Sequence, residues 1–226
     1  MTKTLYLNCK HGDVGELVLL TGSPERTELI ANCLSSPKVV ARNREFVTIS
    51  GQYRNLKMSA VSSGIGAPSA AIAIEELKQL GVKAIVRVGT TMGVLAPIGH
   101  YVLSSGAARH EGTSRSYLDT AYPAVPSWSL GQQLSVAAKD RGLDLHIGVT
   151  ASFDGFYPDM APSITGHDST ASEEFDRGQI LSIDMETALL YIMGQRMRIA
   201  TASLCLVTNS YSPFRAIEKE RRTAGE

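Results

Sequence analysis

Residues 17–33, LVLLTGSPERTELIANC, contain the pattern that decides the fold. Leu17 to Leu20 form a short apolar run typical of a buried strand, and Glu25 to Cys33 carry apolar residues at helical spacing. Between them a Gly-Ser-Pro turn opens the helix, so its free backbone N–H groups and Arg26 could together bind an anion. A turn of this composition is also an ordinary helix cap, so the anion site needs support from elsewhere in the chain.

The same alternation of strand and helix continues along the chain. It predicts a single α/β domain over residues 1–226, with a central mixed β-sheet flanked by helices. In such sheets ligands bind beyond the carboxyl ends of the strands. Residues 106–124 and 153–171 are predicted to be irregular, as binding loops often are. The predicted strands are Leu17–Leu20, Leu56–Val61, Ala84–Val88, Leu145–Val149 and Ala202–Val207, and the predicted helices are Glu25–Cys33, Pro68–Leu80, Leu130–Arg141 and Met185–Arg196.

Composition excludes several classes of partner. The 226 residues carry 22 basic and 22 acidic side chains, so no basic excess is available for nucleic acid or an anionic membrane. No apolar run approaches the about 18 residues of a membrane span, and no signal segment is recognised at the start. Three cysteines without a CxxC pair suit a reducing compartment. We therefore expect a cytoplasmic protein that binds small molecules.

Basic residues occur where the predicted strands end. Arg87 lies in an apolar strand, where an unpaired guanidinium would be costly, so it needs a carboxylate or an anionic ligand as partner. Gly89, Thr90 and Thr91 follow directly. Together with Arg26 and Arg44, these residues could hold a phosphate if the fold brings them together.

An acidic pair, Asp184 and Glu186, lies where a strand passes into a helix. A carboxylate there could accept hydrogen bonds from the adjacent hydroxyls of a ribose, although acidic residues are common at helix N-termini in any case. The five histidines have no metal-ligand spacing. Taken alone, the acidic pair is more typical of an ordinary helix N-terminus than of a sugar site, and the histidines indicate no metal site.

Six motifs in one order resemble the hexameric nucleoside phosphorylase family, and uridine phosphorylases most of all. The similarity extends from about Leu5 to Asn209 and implies the nucleoside phosphorylase fold. Each motif is modest, and their shared order makes a chance match improbable. The motifs are Gly22-Ser-Pro-Glu-Arg26, Asn43-Arg-Glu-Phe46, Ser63-Gly-Ile-Gly-Ala-Pro-Ser69, Arg87-Val-Gly-Thr-Thr91, Gly148-Val-Thr-Ala-Ser152 with Phe156-Tyr-Pro158, and Asp184-Met-Glu-Thr-Ala188.

This resemblance implies phosphorolysis of a nucleoside, with inorganic phosphate as co-substrate and neither cofactor nor metal. It further implies a homodimer in which Arg44 reaches the phosphate of the neighbouring subunit, and a hexamer built as a trimer of dimers. Catalysis is assigned by resemblance to Arg87, Glu186 and Thr90. The implied binding residues are Gly22, Arg26, Arg44, Arg87 and Thr90 for phosphate, Met185, Glu186 and Tyr6 for ribose, and Phe156, Met160 and Thr91 for the base.

Departures from the family pattern leave the substrate open. Met160 and Pro162 stand where uridine phosphorylases have a Gln and an Arg that bond uracil, which directs attention to Ser163, Thr165 and His167 as other donors. Tyr6 stands in place of a His that bonds the sugar 5′-hydroxyl, so a 5′-modified nucleoside is one hypothesis. Asn209 replaces the Asp of purine-specific relatives and cannot act as an acid. The family's long terminal helix is expected to be shortened.

Three alternatives remain at this point. One is a purine or 5′-methylthioadenosine phosphorylase, which Asn209 disfavours. Another is a nucleoside hydrolase, which does not need Arg26, Arg44 and Arg87. The last is a noncatalytic nucleoside-binding relative, which the changed base pocket would fit.

Overall fold

Ten strands are found in the residues that the structure, a computed structural model, describes: 2–166, 175, 178–218 and 225. The strands are β1 Leu17–Thr21, β2 Ser35–Asn43, β3 Phe46–Tyr53, β4 Leu56–Ser62, β5 Ala84–Gly93, β6 Tyr101–Arg109, β7 Leu145–Ser152, β8 Ile180–Asp184, β9 Ala200–Ser210 and β10 Arg215–Ala216. The α-helices are α1 Pro24–Ala31, α2 Ala67–Gln79, α3 Trp128–Asp140, α4 Pro162–Thr165 and α5 Thr187–Met197.

The strands form one mixed sheet in the order β10-β9-β6-β7-β8-β5-β1-β4-β3-β2. Because β5 also pairs with β9, the strands β5, β9, β6, β7 and β8 close into a ring, and β1, β4, β3 and β2 extend from it. Parallel pairs such as β1 with β5 coexist with antiparallel pairs such as β6 with β9. The predicted α/β fold with a central mixed sheet is therefore confirmed.

Helices cover both faces of the extended part of the sheet. Successive side chains of a strand point to opposite faces. Val47 and Ile49 of β3 accordingly pack with Ala31 of α1, whereas Phe46 belongs to the main core with Ile74 of α2. Helix α5 is buried from Thr187 to Gly194 and lies within this core.

Local capping explains where two helices begin. Ser23 accepts a hydrogen bond from the N–H of Arg26 at 3.3 Å, and Pro24 occupies the first helical turn, so α1 begins at Pro24. Helix α5 begins at Thr187, two residues after the predicted start, because the Asp184 carboxylate accepts from the N–H of Thr187 at 3.3 Å.

Among the helices in the described residues, none is long and apolar enough to cross a membrane.

The prediction of irregular structure at residues 106–124 was wrong for 106–109, which continue β6. Gly106, Ala107 and Ala108 have weak strand propensity, but they pair with β7, and the N–H of Ala107 bonds the carbonyl of Ala124 at 2.9 Å. In the second predicted loop, Phe156–Met160 form one π-helical turn that leads into α4. Residues 167–171 of that loop, with His167, lie outside the described residues.

Candidate active site

A cleft of about 270 Å³ opens at the carboxyl ends of β1, β5 and β8. This is the edge at which an α/β sheet places its ligands. The cleft is lined by Gly22, Ser23, Arg26, Ile65, Arg87, Thr90, Thr91, Met92, Phe156, Met160, Ile183, Asp184, Met185, Glu186, Thr208 and Asn209.

A second cavity of about 330 Å³ lies beside α3, between Trp128 and Leu103. Among the described residues no charged side chain lines it, so this lining lacks the groups that an anionic substrate requires. The charged cleft at the strand ends is therefore the candidate active site.

The turn after β1 forms one end of the cleft. Arg26 is buried there although its side chain is charged. Its Nη1 lies 3.9 Å from the position that a Cβ on Gly22 would occupy. The guanidinium thus packs against Gly22 at the N-terminus of α1, where backbone N–H groups favour an anion. The Gly-Ser-Pro turn is both a helix cap and a wall of the cleft.

Arg87, at 7% exposure, is paired with two carboxylates. It bonds Glu186 directly, and its Nη1 lies 3.4 Å from Oδ2 of Asp184. Burial by itself would lower the pKa of Arg87, but Cys205, Asp184 and Glu186 together raise that pKa above its ordinary value. The guanidinium therefore stays charged, as the sequence argument for an anionic partner requires.

Gly89 leaves room for the side chain of Arg87, which lies two residues earlier in β5. A Cβ at residue 89 would lie 2.6 Å from Nη1 of Arg87, well inside van der Waals contact. Residues two apart on a strand share a face, so the arginine side chain lies across the glycine. The glycine of the Arg-Val-Gly-Thr-Thr motif is thus a steric requirement for the position of the guanidinium.

The acidic pair divides into two different roles. Asp184 accepts hydrogen bonds from Ser152 Oγ at 2.6 Å and from the side chain and N–H of Thr187, so it caps α5. Glu186 accepts from the N–H of Gly66 at 2.6 Å through Oε1 and bonds Arg87 through Oε2. The Asp184 carboxylate is therefore engaged in hydrogen bonds within the protein. The Glu186 carboxylate is held in a fixed orientation beside the cleft.

The other end of the cleft is mostly apolar. Met160 is 4% exposed and packs with Met92 and Ile183, whereas Phe156 is 39% exposed at the rim. The Thr91 hydroxyl donates to the carbonyl of Ile183 at 2.8 Å, so toward a ligand it can only accept. The three predicted base-binding residues are thus brought together here, together with Asn209.

Several polar residues considered for the cleft do not line it. Ser163 and Thr165 belong to α4 and are not among the residues that line the cleft. Arg44 and Tyr6 lie next to each other and do not line the cleft either. The guanidinium carbon of Arg44 is 5.9 Å from the Tyr6 ring centroid, and that ring packs edge-on against Phe46 at 6.0 Å. Arg44 is exposed and Tyr6 partly exposed.

Sequence reasoning missed other lining residues, namely Ile65, Met92, Ile183 and Thr208. Three of them are apolar and Thr208 is an uncharged polar residue, so their types do not point to one chemistry, although each lies at or near the end of a strand. Within the described ranges, no group of three or more His, Cys, Asp and Glu side chains could hold a metal ion.

Known proteins resemble this chain over most of its length. The family model described as "Phosphorylase superfamily" matches residues 16–225. A uridine phosphorylase of Thermococcus kodakarensis is 36% identical over 95% of this chain and 81% of its own length. A guanosine phosphorylase of Halorubrum lacusprofundi is 34% identical over 92% and 83%. The crystal structure of a uridine phosphorylase from Vibrio fischeri superposes with a TM-score of 0.85 at 30% identity, covering 92% of this chain and 85% of that one.

Proposed function

Since this chain belongs to the phosphorylase superfamily, we propose that it is a pentosyltransferase that cleaves a pyrimidine nucleoside with inorganic phosphate. The expected substrate is uridine or a 5′-modified uridine, and the products are the free base and the sugar 1-phosphate. One observation carries the proposal: Arg26, Arg87 and Glu186 line the same cleft. Two buried cations beside a carboxylate suit a phosphate dianion next to a sugar diol.

Phosphate is expected to bind between the turn after β1 and the end of β5. Gly22 and Arg26 supply the helix N-terminus and a guanidinium on one side, and Arg87 and Thr90 supply donors on the other. The carboxylates of Asp184 and Glu186 both form ion pairs with Arg87. An entering dianion would then share the Arg87 guanidinium with them.

The sugar is expected to lie over Met185 and Glu186. The hydrogen bond from Gly66 fixes one oxygen of the Glu186 carboxylate, so the side chain is oriented before substrate binds. An oriented carboxylate can accept hydrogen bonds from both ribose hydroxyls.

The reaction breaks the bond between C1′ and the base nitrogen and forms a bond between C1′ and a phosphate oxygen. The base leaves with the electron pair of the broken bond and takes up a proton, and the hydrogen phosphate gives up its proton on becoming the sugar 1-phosphate. Positive charge develops on the sugar in the transition state, and the bound dianion stabilises it while serving as nucleophile. The residues contribute by positioning and by preorganised charge, and no cofactor or metal is needed for this step.

The base is expected to lie between Phe156 and Met160, with Thr91 beside it. An aromatic ring at the rim and a buried thioether offer an apolar surface for a planar ring.

A second subunit completes the proposed site. Arg44 and Tyr6 are accessible and adjacent, which supports a homodimer in which they reach the partner's cleft and, by resemblance, a hexamer. Tyr6 would then face the sugar 5′ position, so 5′-deoxy or 5′-amino nucleosides are expected to be better substrates than uridine. Equal or better turnover of plain uridine would contradict that part. A cytoplasmic location stays a prediction from composition.

Phosphate dependence is the decisive test. The purified protein is incubated with uridine, guanosine, inosine and adenosine with and without phosphate, and free base and sugar phosphate are separated by chromatography. Phosphate-dependent release of uracil is the expected result. Release without phosphate would indicate a hydrolase, and bound nucleoside without any release would indicate a noncatalytic relative.

Two variants separate the phosphate site from general charge effects. Arg26→Met removes a buried cation of the cleft, and hydrogen bonds to a charged group contribute about 1.5–3 kcal/mol. The KM for phosphate should therefore rise about 10- to 100-fold. Arg54→Met removes an exposed arginine at the turn between β3 and β4 and should leave that KM unchanged. An equal rise in the KM for phosphate in Arg26→Met and Arg54→Met would contradict the assignment of Arg26 to the phosphate site.

An oxopurine nucleoside is a second candidate substrate. Asn209 lines the cleft with an amide that can bond a base carbonyl, and a guanosine phosphorylase is among the relatives. Phosphate-dependent release of guanine or hypoxanthine in the same panel would favour it over uridine.

A further inference from the structure

Two buried side chains of β9, Ser203 and Cys205, lie behind Arg87 and are not among the residues that line the cleft. In the parallel register of β5 with β9, Arg87 pairs with Ser203 and Gly89 pairs with Cys205. Residues two apart on a strand share a face, and so do their partners on the neighbouring strand. Arg87, which lies across Gly89, is therefore brought against Cys205.

A closed ring of hydrogen bonds connects these residues. Nη1 of Arg87 donates to Sγ of Cys205, and this Sγ lies 3.5 Å from Oγ of Ser203. Oγ of Ser203 lies 2.9 Å from Oγ1 of Thr187, whose hydroxyl donates to Oδ2 of Asp184. The same Oδ2 lies 3.4 Å from Nη1 of Arg87, which closes the ring.

The donors in this ring follow one direction. Because the Thr187 hydroxyl gives its hydrogen to Asp184, its oxygen accepts from Ser203. Oγ of Ser203 then accepts from the thiol of Cys205. Burial raises the pKa of that thiol, so at neutral pH it keeps the hydrogen that it donates. Hydrogen bonds that run in one direction along a chain strengthen one another.

The ring controls the orientation of the Arg87 guanidinium at the cleft. A guanidinium is planar and carries five N–H donors in fixed directions. Cys205 and Asp184 hold Nη1, and Glu186 holds Nη2, so the plane is held at both ends. Cys205 is the neutral partner among these three. It holds the guanidinium without adding a third negative charge, which would repel a phosphate dianion.

We propose that Cys205, supported by Ser203, is a positioning residue that orients the Arg87 guanidinium for phosphate binding. It acts through Arg87 and does not touch the substrate. This inference rests on the proposed function, because it concerns an arginine that is expected to bind phosphate. The ligand is inorganic phosphate, so its binding can also be measured without any nucleoside.

Substitutions in β9 test the proposal through the KM for phosphate, measured with the nucleoside that the wild type cleaves fastest. Cys205→Ala removes the acceptor beside Nη1, so this KM should rise about 3- to 10-fold, the range that one hydrogen bond supplies, while the KM for nucleoside stays within about twofold. Cys205→Ser restores an acceptor and should bring the KM for phosphate back to within about twofold of wild type. Ser203→Ala interrupts the ring at one remove from Arg87, so its effect should be smaller than that of Cys205→Ala.

Cys9→Ala is the matched control. Cys9 is also a buried cysteine, but its thiol donates to the carbonyl of Leu7 at 3.2 Å, and neither residue lines the cleft. This variant should lower the melting temperature and leave the KM for phosphate unchanged. If Cys205 had only a structural role, Cys205→Ala would give the same pattern as Cys9→Ala, and the inference would be overturned.

Calorimetric titration of inorganic phosphate into the free protein separates this inference from the proposed function. If wild type binds phosphate but cleaves no nucleoside, the proposed function fails, and the Kd for phosphate of Cys205→Ala relative to wild type still decides the role of Cys205. Impairment of Cys205→Ser equal to that of Cys205→Ala would overturn the inference. A wild type with neither phosphate binding nor phosphate-dependent cleavage would overturn both.

Discussion

A single methyl group at residue 89 is expected to remove most of the activity while the protein stays folded. In Gly89→Ala, the new Cβ would lie 2.6 Å from Nη1 and 3.0 Å from Cζ of Arg87. Ordinary contacts of a Cβ begin at 3.4 Å, so the guanidinium has to retreat by roughly 0.8 Å. The far end of an arginine can move, but this one is paired with Asp184 and Glu186.

The displacement sets the size of the effect. A misplacement of about 1 Å in a group that positions reactants costs about 100-fold in rate, so kcat/KM for phosphate and nucleoside should fall by about that factor. Overpacking of a buried site costs about 1–3 kcal/mol, which lowers the melting temperature by about 2–12 °C in a chain of this size. The protein should therefore remain folded while its activity is largely lost.

Steady-state kinetics with saturating and limiting phosphate, together with thermal melts, test this expectation. Gly131→Ala is the matched control, because no heavy atom of the described residues, apart from its chain neighbours and the nearby backbone of its own helix, lies within 4 Å of the added Cβ, and the residue is in α3. That variant should keep full activity and gain a little stability, since alanine favours a helix over glycine by about 1 kcal/mol. Activity of Gly89→Ala within threefold of wild type would refute the steric argument for the Arg-Val-Gly motif.

Three further predictions follow from the buried polar groups. Asp184→Asn removes one carboxylate partner of Arg87 and should lower the free energy of unfolding by about 3 kcal/mol in urea titrations; an unchanged midpoint would show that one carboxylate suffices for the guanidinium. Tyr191→Phe removes a 2.6 Å hydrogen bond to a backbone carbonyl of β6 and should lower stability by about 1–2 kcal/mol without changing kcat, whereas a drop in kcat would connect this core residue to catalysis. Burial raises the pKa of Cys205, so alkylation of the native protein between pH 7 and 8.5, followed by mass spectrometry, should label the exposed Cys33 and spare Cys205; early labelling of Cys205 would contradict its burial.

Most of the candidate site was predictable from strand ends and from resemblance. Some residue types can be recognised as site candidates in the sequence alone when they follow apolar runs, namely glycine, arginine and the acidic residues. Gly22, Arg26, Arg87 and Glu186 accordingly lie in one cleft. The need of Arg87 for an anionic partner followed from its apolar neighbours, although its carboxylates lie about a hundred residues away in sequence.

Other parts of the site were not predictable, because they depend on pairing between distant segments. Residues 106–109 became strand only because β7 and Ala124 bond their backbone, against their weak intrinsic propensity. The different roles of Asp184 and Glu186 depend on hydrogen bonds from Ser152 and Gly66. These two donors lie at or after the ends of two other strands, far away in sequence. Identical charges two residues apart carry no signal that separates a helix cap from a ligand group.

The sequence by itself determined five of the ten strands and four of the five α-helices found in the described residues, and the residue types at the strand ends, because apolar periodicity and turn chemistry are local properties. Only the tertiary structure decided that the strands from β5 to β9 close into a ring, that Arg87 lies across Gly89, and that a bulge turns Thr208 and Asn209 into the same cleft. The physical reason is that register and bulges are set by hydrogen bonds between strands. A shift of one residue in the pairing of two strands moves every side chain of one strand to the opposite face, although its sequence is unchanged.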